Sequence, residues 1–106
     1  MLGQALIATH DRARVDEAVT LLQTAATRES ESPDLFNQLG MAYAQKGDQA
    51  RADLSAAQSA FIRGDMITAR QIAMRAKTQF PVGSPGWVKA DDLATYKPKS
   101  TNLLHQ

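Results

Sequence analysis

The residue types that most often hold metals or transfer protons do not form a recognised motif in this sequence. The chain has no cysteine, and its two histidines are His10 and His105. Neither has a glutamate beside it or a second histidine four residues away, as a zinc-binding H-E-x-x-H helix requires. Nor is there a nucleophile elbow, a glycine-rich phosphate loop or an acid pair of defined spacing. We therefore predict no catalytic residue, cofactor or metal within this chain, and we expect His10 to lie in a turn with a structural or neutral role.

Charge and composition exclude further classes of function. The 12 basic and 11 acidic residues leave a formal net charge of +1, which gives no field to attract nucleic acid or an anionic membrane. No apolar stretch approaches the roughly 20 residues that a membrane-spanning helix needs. The first residues lack the features of a signal peptide, and a chain without cysteine suits the cytoplasm as well as an oxidising compartment. Composition thus predicts a globular domain without nucleic-acid binding or a membrane span, and it leaves the compartment open.

Four side chains at helical spacing are candidates for contacting a partner protein: Asp34, Asn37, Met41 and Gln45. They interleave with the residues expected to face the core, which are Phe36, Leu39, Gly40 and Tyr43. Asn37 is the most suggestive candidate because its amide can both donate to and accept from a peptide backbone. The alternative is that the four side chains form an ordinary solvated helix face.

Three basic residues, Arg63, Arg70 and Lys77, recur every seven positions and could form a basic stripe. A turn expected at Gly64 interrupts the helical geometry between the first of them and the other two. We therefore expect these side chains to be solvated rather than to form a binding surface.

Aromatic residues offer two further candidates. Phe61 and Ile62 could form an exposed apolar contact, although core packing between neighbouring helices is the more common role of such a pair. Trp87 follows Phe36 by 51 residues, and we expect it to pack a final capping helix onto the rest of the domain rather than to bind a ligand.

The elements that must position these residues are all predicted to be helices. Alanine, which has the highest helix propensity, is the most frequent residue, and no segment alternates as a strand would. Ser32 and Ser84 each precede a proline, and Gly47 and Gly64 each precede an aspartate, which are typical helix boundaries. Asp11 suggests another helix start. The predicted helices cover about 1–9, 11–28, 33–46, 49–63, 66–79 and 84–95, and residues 97–106 form a polar tail.

The helix starts recur at a fixed interval. Pro33, Ala50, Ile67 and Ser84 are each 17 residues apart, so two helices make a unit of 34 residues, the period of tetratricopeptide repeats. Phe36, Leu39, Gly40 and Tyr43 resemble the first-helix signature of that family. Small or apolar residues at second-helix spacing follow each turn glycine or precede by one period: Ala69, Ala73, Ala76 and the terminating Pro81; Ala52, Ala56 and Ser59; Ala18, Leu22 and Ala25.

The segment from Phe36 to Asp92 also resembles a narrower family. Its runs LGMAYAQKGD, ADLSAAQSAFIRGD and GSPGWVKADDL are similar to the C-terminal repeat region of BepA-like periplasmic zinc metallopeptidases. Residues 2–11 and 15–26 resemble the preceding repeat, with Leu2-Gly3 as its first-helix signature and three extra residues near Asp11. In that family the H-E-x-x-H zinc helix belongs to a separate domain that precedes the repeats, so the parent protein would be the peptidase.

The resemblance implies a short right-handed solenoid of about six helices in antiparallel hairpins, with a repeat domain at 1–96. It implies a regulatory tail in periplasmic protein quality control that packs against its own peptidase domain and recruits outer-membrane assembly machinery or client peptides. The chain seems from this pattern to begin inside a repeat, as a piece of a longer protein, and its exposed end would allow a homodimer. The alternative is a free-standing adaptor that binds an extended peptide or a partner helix.

Overall fold

A computed structural model describes the backbone of residues 2–96 and the side chains of residues 13–96. Within that range the chain forms five helices and no strand, which confirms the all-helical prediction. They are α1 (Leu2–Arg28), α2 (Pro33–Lys46), α3 (Gln49–Ile62), α4 (Met66–Lys77) and α5 (Pro85–Thr95). The predicted polar tail 97–106, with His105, lies outside the described residues, as does the side chain of Leu2.

The first predicted hairpin is wrong. Residues 2–28 form one continuous helix, so His10 lies within a helix rather than in a turn, and the helix count falls from about six to five. Asp11 resembled a helix-capping residue, but neither glycine nor proline stands next to it. Without a residue that breaks the backbone hydrogen-bond pattern, continuing the helix costs less than opening a turn. The first repeat therefore does not fold back on itself.

The other helices begin at the capping residues that the sequence predicts. The side chains of Ser32, Asp48, Asp65 and Ser84 each accept a hydrogen bond from the backbone N–H three residues later. Gly47 and Gly64 adopt left-handed conformations, with φ of 87° and 84°, which glycine tolerates best. The last three helices are one or two residues shorter than predicted, a difference that is usual at helix ends.

Contacts between side chains show that successive helices run antiparallel. Lys46 at the end of α2 pairs with Asp16 of α1, the N···O distance being 3.0 Å. The Ser59 hydroxyl near the end of α3 donates to the carbonyl of Pro33 at the start of α2, at 3.0 Å. Lys77 of α4 pairs with Asp91 of α5 at 2.8 Å. Each helix thus packs against its neighbours in the chain as a series of hairpins.

Helix α3 is the centre of this arrangement. It packs against α2 and α4, and it also contacts α5, which runs in the same direction. In the described part of the chain, α1 does not contact α3, and α2 does not contact α4. Alternate helices are therefore not closed into a continuous wall, and a depression remains on each side of α3.

Small residues fill the seams between the helices. Ala57, Ala60, Ala73, Ala76 and Ala90 are completely buried, and Ala52 and Ala69 are nearly so. A Cβ atom at Gly40 would lie 3.2 Å from the carbonyl oxygen of Ala52, so this glycine allows the close approach of α2 to α3. Leu39 and Tyr43 are buried, Ala56 and Trp87 are half-buried, and Pro81 is exposed in the turn before α5. Close approach of the backbones, rather than large core side chains, defines this packing.

Enlarging one of these alanines should test the seam. Ala73→Leu places a larger side chain at a completely buried position, and we expect the free energy of unfolding to fall by about 1–3 kcal/mol because the core cannot expand freely. The matched control is Ala44→Leu, at an exposed position of α2, which should change it by less than about 0.5 kcal/mol. Urea unfolding followed by circular dichroism measures both. Equal effects of the two substitutions would contradict close packing at the seam.

Candidate functional site

The predicted contact face of α2 is exposed. Asp34, Asn37, Met41 and Gln45 all reach solvent, and Met41 has 66% of its surface exposed. Only two of the four lie in a depression. Asn37 and Met41 line a groove of about 450 Å³ between α2 and α3, which we name the α2–α3 groove. Asp34 and Gln45 are not among the residues that line it.

The floor of the α2–α3 groove combines small residues with a buried carboxylate. Ala52, Asp53 and Ala56 of α3 form the floor, and Gly40 lies at the side that α2 provides. Because the floor side chains are short, atoms of a bound partner could approach the α3 backbone closely. The rim carries one long apolar side chain, Met41, which adapts its shape to different surfaces.

Asp53 is 4% exposed and is the centre of a hydrogen-bond cluster. One carboxylate oxygen accepts from Gln49 Nε2 at 2.9 Å and from Arg75 Nη2 at 3.0 Å. The other accepts from Arg75 Nε at 3.1 Å and from Gln79 Nε2 at 2.7 Å. The carboxylate therefore has four hydrogen-bond donors, and through Arg75 and Gln79 it ties α3 to α4.

These donors also set the acidity of Asp53. Burial alone would raise its pKa, but the hydrogen bonds from Arg75, Gln79 and Gln49, with the charge of Arg75, outweigh burial and hold the pKa below its ordinary value of 3.8. Asp53 is thus an ionised structural residue. The sequence reasoning missed it, although a charged residue inside the run ADLSAA is the kind of signal that indicates a buried partner.

A second depression lies on the opposite side of α2 and was also missed. Two adjoining cavities of about 630 and 610 Å³ share Ser30, Phe36 and Gln58. Together they run along α3 between α1 and α5, and we name them the α1–α3 cleft. Of the predicted candidates, only the alternative Phe61 and Ile62 lie in it.

The floor of the α1–α3 cleft is apolar and its sides are polar. Phe36, Leu39 and Tyr43 of α2 contribute to the floor, and the Tyr43 hydroxyl accepts a hydrogen bond from the side-chain amide of Gln23 on α1. Gln58 on α3 faces the same space. Such a combination of an apolar base with amide groups at the edge is typical of a surface that binds polypeptide.

The remaining candidates mainly attach α5. The guanidinium of Arg70 donates to the carbonyl of Tyr96 at 2.9 Å. The ammonium group of Lys77, besides pairing with Asp91, lies 5.1 Å from the ring centroid of Trp87, a cation–π geometry. Phe61 meets Tyr96 edge to face, with ring centroids 4.7 Å apart. Arg70 and Lys77 therefore do not form a free basic stripe.

Comparisons with family models, curated proteins and solved structures find no match. In the described part of the chain, no helix has the length and apolar character needed to cross a membrane. Among those same residues, no three His, Asp or Glu side chains lie close enough together to hold a metal ion. The candidate sites are therefore the two depressions on either side of α2.

Removing the Asp53 charge should weaken the domain in a pH-dependent way. In Asp53→Asn an amide N–H₂ replaces one acceptor oxygen and faces donors, so we expect the free energy of unfolding at pH 7 to fall by about 1–3 kcal/mol. Because the folded pKa lies below 3.8, the stabilisation is complete above that value and is lost as the pH falls through the folded pKa.

The measurement is urea unfolding between pH 2 and pH 7. Wild type should lose stability in the acid range more steeply than Asp53→Asn does. The control is Asp92→Asn, an exposed carboxylate on α5, which should leave both the stability at pH 7 and the pH profile nearly unchanged. Parallel acid profiles for wild type and Asp53→Asn would contradict the assigned role.

Proposed function

We propose that this chain is a non-catalytic protein–protein interaction module built from tetratricopeptide-type repeats. The observation that carries the proposal is the pair of open depressions on either side of α2, each with both apolar and hydrogen-bonding side chains at its surface. Helical hairpins that contact mainly their chain neighbours leave such surfaces free, and repeat proteins use them to bind other proteins. The chain holds its partner by surface complementarity and carries out no chemical step.

Details of α2 and α3 support the tetratricopeptide assignment. Leu39, Gly40 and Tyr43 all lie on the buried face of α2, and Gly40 meets α3 where Ala52 is buried. This matches the physical logic of the repeat, in which a small residue on each helix permits a close crossing. The helices start at intervals of 17 residues, as the family period requires.

We further propose that the module is the regulatory and docking C-terminal repeat domain of a periplasmic zinc metallopeptidase. This step rests on the resemblance of the runs LGMAYAQKGD, ADLSAAQSAFIRGD and GSPGWVKADDL. Its partners would be the peptidase domain of the same protein, outer-membrane assembly machinery or a client peptide. The zinc chemistry would belong to that peptidase domain, and the role of this chain would be to limit access and recruit.

A free-standing adaptor is the second candidate, favoured by the shape of the α2–α3 groove. Asn37 and Met41 lie together at its edge, where an amide and an adaptable apolar side chain can contact an extended peptide or a partner helix. This alternative needs no peptidase domain.

The docking role predicts that Met41 contributes to binding. Met41→Glu places a charge in the α2–α3 groove, and we expect the affinity for the peptidase domain encoded upstream in the same gene to fall by about tenfold or more. Isothermal titration calorimetry with the separately produced peptidase domain measures this. Because Met41 is exposed, the free energy of unfolding should change by less than about 0.5 kcal/mol.

The matched control is Met74→Glu, a methionine on α4 with 60% of its surface exposed that does not line the groove. It should leave the affinity within about twofold of wild type. Equal loss in both variants would argue against the α2–α3 groove. If the upstream gene sequence encodes no H-E-x-x-H helix, the metallopeptidase assignment is wrong and the adaptor remains.

The adaptor candidate has its own test at Asn37. An immobilised library of extended peptides should retain the chain, and Asn37→Ala should weaken retention by roughly three- to tenfold because a hydrogen bond to the peptide backbone is lost. Gln45→Ala is the control, since Gln45 is exposed on the same helix outside the groove. Unchanged retention of Asn37→Ala would count against peptide binding by this face.

A further inference from the structure

The α1–α3 cleft has a definite length and direction. Along α3 its lining begins at Arg51 and ends at Ile62. With a helical rise of about 1.5 Å per residue, that distance is about 17 Å. An extended chain advances about 3.3 Å per residue, so the cleft accommodates about five residues of an extended segment.

The polar groups along the cleft favour an extended occupant over a helical one. Gln23 and Thr27 line the α1 side, and Gln58 lines the α3 side. An extended segment has free backbone N–H and C=O groups that need partners, and side-chain amides supply both donors and acceptors. A helix satisfies its own backbone groups, so only its side chains could use these amides.

Charge distinguishes the two ends of the cleft. Lys89 and Arg51 lie at one end, because Lys89 adjoins Ala90, which packs with Leu54 one turn along α3 from Arg51. Arg51 is paired with Asp48 at 2.7 Å, whereas Lys89 makes no ion pair with any residue that the structure describes. Glu31 lies at the other end, with Ile62. The cleft is thus positive at one end and negative at the other.

We infer that the α1–α3 cleft binds an extended segment of a partner protein, about five residues long, with an apolar middle and an acidic residue that meets Lys89. The apolar middle covers Phe36 and Leu39, and the backbone of the segment hydrogen-bonds to Gln23 and Gln58. This inference rests on the docking function proposed above and assigns it a second surface, separate from the α2–α3 groove.

The test is an NMR titration of the full ¹⁵N-labelled chain with defined peptides. The probes are two acetylated, amidated pentapeptides with three central valine and leucine residues, one with glutamate first and one with glutamate last. Their counterparts carry lysine in place of glutamate. We expect one glutamate peptide to shift the amide resonances of Gln23, Gln58 and Lys89, and its lysine counterpart to bind at least about fivefold more weakly.

Charge reversal supplies the matched variants. Lys89→Glu should weaken binding of the glutamate peptide by about fivefold or more, and Glu31→Lys should not weaken it. Arg14→Glu makes the same change in net charge at an exposed position of α1 outside the cleft, and should alter affinity by less than about twofold. Circular dichroism of each variant verifies that it is folded. Equal weakening by Arg14→Glu and Lys89→Glu would overturn the inference.

Other occupants would give different results. If neither glutamate peptide shifts a cleft residue, while a helical twelve-residue peptide of similar composition does, the occupant is a helix and the inference is wrong. Cleft shifts that depend on protein concentration, without peptide, would identify a second copy of the chain instead. Peptide-induced shifts at Asn37 and Met41 alone would overturn the assignment of the cleft but leave the docking function intact.

Discussion

The packing of α3 against its neighbours through very small side chains is the constraint on which the rest of this structure depends. Ala57 and Ala60 of α3 are completely buried, as is Ser59 between them. Side chains of this size remove little apolar surface from water individually. What they provide is proximity, because neighbouring backbones come close enough for many weak contacts at once.

Such a core needs polar contacts to fix the helices in register. Ser59 ties the end of α3 to the start of α2 through the Pro33 carbonyl. Asp53 ties the start of α3 to the end of α4 through Arg75 and Gln79. Alanine faces can slide past one another at little cost, whereas a buried carboxylate that loses its donors is strongly destabilised. The two contacts therefore hold α3 at opposite ends and fix the floor of the α2–α3 groove.

Sequence reasoning succeeded where the signal was local and failed where it was tertiary. Ser32, Asp48 and Ser84 cap the helices they were expected to cap, because a capping residue acts on a backbone group three positions away. Asp11 was misjudged because the same residue type also fits inside a helix. The partners of Asp53 lie 22 and 26 residues away, so no local pattern could reveal them. The α1–α3 cleft was missed for the same reason, since three helices define it.

The difference between the two sides of α3 follows from the size of the residues that lie between alternate helices. Where α4 lies between α3 and α5, it contributes Ala76, which packs with Leu54 and Ala90, and α3 and α5 touch. Where α2 lies between α1 and α3, it contributes Leu39 and Tyr43 to the corresponding cluster.

These larger side chains hold α1 away from α3 and leave the cleft open above them. The open surface and the closed seam thus have one cause, the volume of the middle helix's side chains. If Tyr43 holds the cleft open, the cleft is a property of α2 and does not depend on how far α1 extends beyond it.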